Sequence, residues 1–271
     1  MRGASRESLA AGQGRLEALL SARGTTPQTL ADDLFAVANL LAGNAGLRRA
    51  LTDPSRVGEA KADLVQRLLT GKVGGPALDL LAGLVRGRWG APSDLTDAVE
   101  RLAVSSVLAS AERADRLESV EDELFRFSRL VAGTTELRDA FSGRTEGDER
   151  KATLVQRLLG GKASPETIRL ATQAAVHPRG LRTERALEAY VEAAAERRRQ
   201  LVAHVVAAVP LTVAQRERLS ASLRRIYGRP IRLNVDLDPE VVGGLRVQVG
   251  GELVDGTVAT RLDDVKRRLA G

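Results

Sequence analysis

The chain has 271 residues, 43% hydrophobic and 28% charged, with a formal net charge of +6. It is long enough for one large or two ordinary domains and apolar enough to bury a core, which excludes a disordered polymer. It has no cysteine and only 3% aromatic residues; disulfides, thiolate metal sites and cysteine nucleophiles are excluded together, and the core must be built from Leu, Val and Ala.

Taken in order, residues 5–22 predict a first helix whose stripe of Leu9, Leu16, Leu19 and Leu20 is thin and is weakened by Gly12 and Gly14. Such a helix is expected to depend on its neighbours. After a break at 24–27, Leu30, Leu34, Val37, Leu40 and Leu41 recur at helical period as far as Gly43. A short apolar piece at 47–51 ends in the turn signal Asp53-Pro54. Residues 61–72, K-A-D-L-V-Q-R-L-L-T-G-K, put Leu64, Val65, Leu68 and Leu69 on one stripe, with Gly71 suited to the left-handed residue that closes a helix. A further helical piece at 78–85 is followed by a break over 87–92. From 94 to about 132 there is neither Gly nor Pro, which predicts one continuous helix rather than a flexible linker.

The stretch at 61–72 then recurs at 151–162 as K-A-T-L-V-Q-R-L-L-G-G-K, an offset of 90 residues. The same offset pairs Asp32, Leu34 and Phe35 with Asp122, Leu124 and Phe125, and 21 of the 53 positions from 31 to 83 match without a gap. This is an internal duplication, about 31–120 and 121–200, with the long helix crossing from one copy into the next. The second copy continues with a helix ending at Gly160, another over 166–176, a break at His177-Pro178 and a long helix over 183–199.

Beyond residue 200 the period changes. Residues 201–209 are apolar and β-branched and predict a strand, and Thr212 with Gln215 has capping-box spacing for a helix that Gly228 and Pro230 end. Ile231, Leu233, Val235 and Leu237 alternate with polar residues, and 245–249 and 253–254 flank Gly250-Gly251 as a hairpin. Val258, Leu262, Val265 and Leu269 predict a terminal amphipathic helix. The fold class is mainly α: a helical bundle domain at 1–200 with an internal duplication, then a small α/β domain at 201–271.

Several functions are poorly served by these residues. G-G-K-A-S at 160–164 resembles the end of a phosphate-binding loop, but Val155 and Ala163 stand where that motif needs Gly and Ser or Thr, and the lysine follows a helix. His177 and His204 are isolated, and no paired carboxylates share a face, so no catalytic, metal or cofactor site is expected. The basic cluster Arg197, Arg198 and Arg199 is interleaved with Glu184, Glu188, Glu192 and Glu196, a solvated helix face rather than a nucleic-acid surface. No apolar run approaches the roughly 18 residues of a membrane span, so membrane association would come through a partner.

Residues 238–262, D-P-E-V-V-G-G-L-R-V-Q-V-G-G-E-L-V-D-G-T-V-A-T-R-L, resemble the signature of the delta subunit of bacterial F-type ATP synthase, the equivalent of the mitochondrial oligomycin-sensitivity-conferring protein. The matching positions are Asp238, Val242, Gly243, Gly244, Asp255 and Gly256, with Thr257 in place of the family's serine. The A-A-V-P-L-T at 207–212 also fits, whereas the family's opening Tyr-Ala is absent, with Arg6, Glu7, Ser8 and Leu9 near that place. The duplicated helical segment resembles an actinobacterial arrangement. The resemblance implies a non-catalytic stator subunit without cofactors, on the cytoplasmic face of the cell membrane as part of the complex. Its helical domain would grip N-terminal helices of the alpha subunits, and its C-terminal domain the b-subunit stalk, expected to be a separate polypeptide. Leu16, Leu19, Leu78, Leu81, Leu84 and Val85 are the expected walls of a groove for an alpha helix, on the reasoning that 78–85 carries more apolar surface than one helix face buries internally. An unrelated helical-repeat adaptor is the competing reading, and a nucleic-acid-binding protein a more distant one.

Overall fold

In the computed structural model, which describes residues 3–22, 24–142, 147–199, 201–228, 231–238, 244–249 and 252–255, the chain divides into two compact units. One comprises Met1–Leu16 with Gly24–Arg198, the other Glu17–Arg23 with Arg199–Gly271.

After α1 (Ala4–Ser21), the first copy of the duplicated sequence folds into α2 (Pro27–Gly43), α3 (Ala45–Thr52), α4 (Gly58–Leu69) and α5 (Gly75–Arg86), followed by α6 (Pro92–Arg113). The second copy folds into α7 (Leu117–Gly133), α8 (Thr135–Ser142), α9 (Asp148–Leu159) and α10 (Pro165–Val176), followed by α11 (Thr183–Arg199). Each helix from α7 to α10 begins and ends 90 residues after its counterpart. The same local chemistry ends them: α4 and α9 each stop two residues before a glycine with positive φ, Gly71 at +75° and Gly161 at +68°.

Each copy also caps its fourth helix in the same way. No side chain of the N-cap residue itself satisfies the free N–H groups at the start of α5 or α10. A carboxylate reaches over from the long helix of the same copy instead. Asp33 Oδ2 accepts from the Gly74 N–H at 2.9 Å. Glu123 Oε2 accepts from the Ser164 N–H at 2.9 Å, from the Ser164 hydroxyl at 2.7 Å and from the Thr167 hydroxyl at 2.6 Å. A negative charge at a helix N-terminus is favoured by the macrodipole as well as by the hydrogen bonds.

The continuous helix expected from 94 to 132 is in fact two. Asp115 takes φ +54°, the Arg116 N–H donates to the Ala111 carbonyl at 2.8 Å, and the Asp115 N–H donates to the Glu112 carbonyl at 3.0 Å. This is a Schellman ending with aspartate in the left-handed position that glycine usually fills. Arg116, released from the helix, pairs with Glu166 at 2.7 Å, a tertiary contact that a straight helix would forgo. Residues 94–111, the counterparts of α1, lie within α6, so this helix closes the first copy and opens the second.

The second unit carries a four-stranded sheet in the order β2-β1-β3-β4, from β1 (Leu201–Ala207), β2 (Ile231–Leu237), β3 (Leu245–Val249) and β4 (Glu252–Asp255). The crossover helix α12 (Val213–Tyr227) lets β1 and β2 run parallel, while β3 and β4 pair antiparallel. Thr212 and Gln215 form the reciprocal capping box that their spacing predicts, and Gly228 ends α12 at φ +65°. Alternation along β2 buries Ile231, Leu233 and Val235 with Ala203, Val205, Leu223, Val247 and Val249. The strand expected over 201–209 stops at Ala207. The hairpin register sets Val249 opposite Glu252; its two intervening glycines and the expected terminal helix lie outside the described residues.

The cap carboxylates make acid stability testable. Burial pushes Glu123 up, but the Thr167 and Ser164 hydroxyls and the Ser164 N–H outweigh it and hold the carboxyl below its usual range. At Glu166, burial is likewise outweighed by Arg116 and other donors. A depressed folded pKa contributes stability that is present above the unfolded value and lost as pH falls through the folded one. Glu123→Gln is therefore expected to cost about 1–3 kcal/mol at neutral pH, and its deficit against the parent in urea melts should shrink below about pH 4.5. A deficit constant down to pH 3 would contradict this role.

Candidate functional site

The apolar cleft of the first copy is lined entirely by Val and Leu, with no polar group, and every wall belongs to the helical unit. Val37, Leu40 and Leu41 come from α2, Leu47 and Leu51 from α3, Val65, Leu68 and Leu69 from α4, Leu81 and Val85 from α5, and Leu95 and Val99 from α6. Two lining residues open to solvent at the rim, Leu40 at 46% and Leu68 at 38% exposure. The free space inside is about 20 Å³, room for little more than a methyl group. An occupant would therefore lie over the rim and insert one side chain.

The second copy does not repeat this lining. The positions of Val37 and Leu51 are taken by Phe127 and Phe141, which pack edge to face with ring centroids 6.3 Å apart and are both buried. The positions of Leu81 and Val85 are taken by Ala171 and Ala175. Large residues on α7 and α8 and small ones on α10 keep the volume while filling the opening from the other side.

The residues expected to wall a groove have mixed fates. Leu81 and Val85 do line the cleft, but from its floor, both 2% exposed. Leu16 and Leu84 are buried at 1% and 2%, and Leu19 and Leu78 are half-buried. The premise of surplus apolar surface on 78–85 is corrected by the packing: Leu80, Leu81, Leu84 and Val85 are all consumed within the bundle. For Leu84 the partner is α1, at Gly12. A Cβ there would fall 2.6 Å from Leu84 Cδ2, so α1 lies on α5 as closely as a bare backbone allows. The rim residues Leu40 and Leu68 were missed because helical period assigns them to the stripe; only the packing of α2 and α4 on their neighbours leaves them at its edge.

Of the C-terminal motif, Val242, Gly243 and Gly256 lie outside the described residues. Gly244 takes φ +85°, a conformation that excludes most other residues. The Asp238 N–H donates to the Ala207 carbonyl at 3.0 Å, extending the β1–β2 pairing. Asp255 is the last residue of β4, opposite Arg246.

Polar groups elsewhere hold structure together. Lys61 donates from Nζ to the Gly87 carbonyl at the end of α5 at 3.2 Å, and burial pushes its ammonium below the usual range. Burial also lowers the His177 imidazole. The Tyr190 hydroxyl donates to Glu100 at 2.5 Å, and burial pushes the phenol up. Among the described residues, no group of three or more His, Cys, Asp or Glu is placed to hold a metal ion, and no helix is long and apolar enough to cross a membrane.

The family model described as ATP synthase delta (OSCP) subunit matches residues 99–269. Its first matched residue falls within α6, so the match takes in the whole second copy and the sheet, and the four helices of the first copy lie before it. A relative from Kineococcus radiotolerans, "ATP synthase subunit delta", is 56% identical over 99% of this chain and 98% of its own length. Relatives of the same description from Streptomyces coelicolor and Thermobifida fusca are 50% and 47% identical, over 100% of this chain and 98% and 100% of theirs.

The glycines of α1 separate helix propensity from packing. A methyl group added at Gly14 would meet no atom within 4 Å, so Gly14→Ala should raise stability by about 0.5–1 kcal/mol. Gly12→Val should lower it by about 1–3 kcal/mol through overpacking against Leu84. In the second unit, Gly244→Val should cost about 1–3 kcal/mol through backbone strain. Denaturant midpoints of the three variants check the order; equal effects at positions 12 and 14 would mean that α1 does not seat closely on α5.

Proposed function

This chain belongs to the ATP synthase delta (OSCP) subunit family, and from that premise we propose how its two units carry load. It is a non-catalytic stator subunit of the peripheral stalk of F-type ATP synthase, and so part of a membrane-associated complex. The competing reading as an unrelated helical-repeat adaptor is set aside by that membership. The observation that carries the reading is a relative 56% identical over nearly the full length of both chains.

A stator resists torque and turns over nothing, so it needs stiff elements and broad protein contacts rather than reacting groups. We assign the helical unit to the N-terminal helices of the alpha subunits on the headpiece, and the mixed-sheet unit to the C-terminal region of the b subunit, at the cytoplasmic face of the cell membrane. Within the helical unit, the apolar cleft of the first copy is the seat we assign to an alpha helix. Helix-in-groove contacts draw on apolar anchors at i, i+3, i+4 and i+7. Leu40 and Leu68 offer such anchors a rim, and Leu81 and Val85 a floor. Phe127 and Phe141 fill the equivalent place in the second copy, which favours the first.

Because Leu40 and Leu68 are partly exposed, a charge there should leave the chain folded where Leu81→Asp would not. In calorimetric titration of the full chain with a peptide of the alpha N-terminal helix, Leu40→Asp and Leu68→Asp are each expected to weaken binding about tenfold or more, a loss of roughly 1.4 kcal/mol. Leu130→Asp, at the counterpart of Leu40, should leave it unchanged, and none of the three should alter b-subunit binding. The reverse pattern would move the site to the second copy.

A further inference from the structure

The duplication contains its own control for an interface. In the first copy, the outer face of α2 carries Asp32, Phe35 and Asn39, and α10 of the second copy covers it. The Arg169 guanidinium lies 4.6 Å from the centroid of the Phe35 ring and donates from Nε to Asp32 at 2.9 Å, while Gln173 donates to Asn39 at 3.2 Å. Phe35 is 1% exposed. The same face recurs on α7 as Asp122, Phe125 and Arg129, yet Phe125 is 53% exposed. General loosening of the second copy does not explain the difference, since the neighbouring pair Leu40 and Leu130 are exposed alike, at 46% and 47%.

We propose that the α7 face centred on Phe125 is an interaction surface for a basic amphipathic helix from another subunit of the complex, presenting an arginine to the Phe125 ring as Arg169 does to Phe35. Head-to-tail repeats leave at one end the face that each internal repeat covers, and here the covered face displays the chemistry of its cover: a guanidinium over the ring and against the carboxylate, with a polar side chain one turn on. The open face keeps both acceptors of a cation, the Phe125 ring and the Asp122 carboxylate, beside Glu118, which Arg198 holds at 3.1 Å. Asp122 pairs with Arg126 of its own helix, an exposed pair that an incoming arginine can replace at little cost. A cation over an aromatic face gains most when the partner shields it from water.

The inference rests on the stalk reading, and the experiment separates the two. Photoreactive benzoylphenylalanine is placed at position 125 of the full chain, which is then recovered with the assembled ATP synthase. Absence of the chain from the assembly would overturn the stalk reading and this inference with it. With the chain present, a cross-link from position 125 to an arginine-bearing helical segment of another subunit is expected. No cross-link, one confined to this chain, or one to an acidic or non-helical segment overturns the inference alone. In parallel, Phe125→Ala should melt like the parent, because the ring is exposed, yet be removed from the complex at lower salt, with retention reduced about fivefold or more. Unchanged retention would equally overturn the inference.

Discussion

The helical unit depends on α6 having almost no face left for water. Fourteen of its residues are buried, among them the polar Glu100 and Ser110, and a buried polar group costs least when it has a partner. The partners come from both copies. Ser5 of α1 donates to Asp94 at 2.7 Å, Gln28 of α2 donates to Ser110, and Ser110 donates to Glu166 of α10 at 3.1 Å. From the C-terminal side of the unit, Tyr190 and Arg179 close on Glu100, and Arg197 pairs with Glu112 at 3.0 Å. Loosening either copy would strand charge along the axis of the other, so the two copies are bound into one cooperative body through a shared helix.

That arrangement ties the two copies together. Two bundles joined by a linker could swivel, whereas two bundles that use one helix as the last element of the first and the first of the second cannot. The ending at Asp115 lets α7 depart from α6 and brings Arg116 to Glu166. The carboxylate caps from Asp33 and Glu123 then repeat the geometry inside each copy. The copies differ at the cleft, where buried Phe127 replaces buried Val37, and at the covered face, where Phe125, the counterpart of buried Phe35, is exposed.

Much of this was legible in one sequence. The offset of 90 residues, the stripe of Leu64, Val65, Leu68 and Leu69, the Thr212–Gln215 box and the alternation along 231–237 are local periodicities and caps, and local chemistry decides them wherever the chain sits. The break at 114–116 was not legible, because no Gly or Pro marks it; an aspartate takes the left-handed position, and the turn brings Arg116 to Glu166, 50 residues away. Nor could the sequence tell that Leu84 would pack on α1, since Gly12 reads as a weak helix residue until Leu84 is seen against it. Which leucines form a rim and which a floor, and why one of two equivalent phenylalanines is covered, depend on how helices cross. Helical period names the face that turns inward, and only the tertiary structure decides how much of that face the neighbouring helix covers.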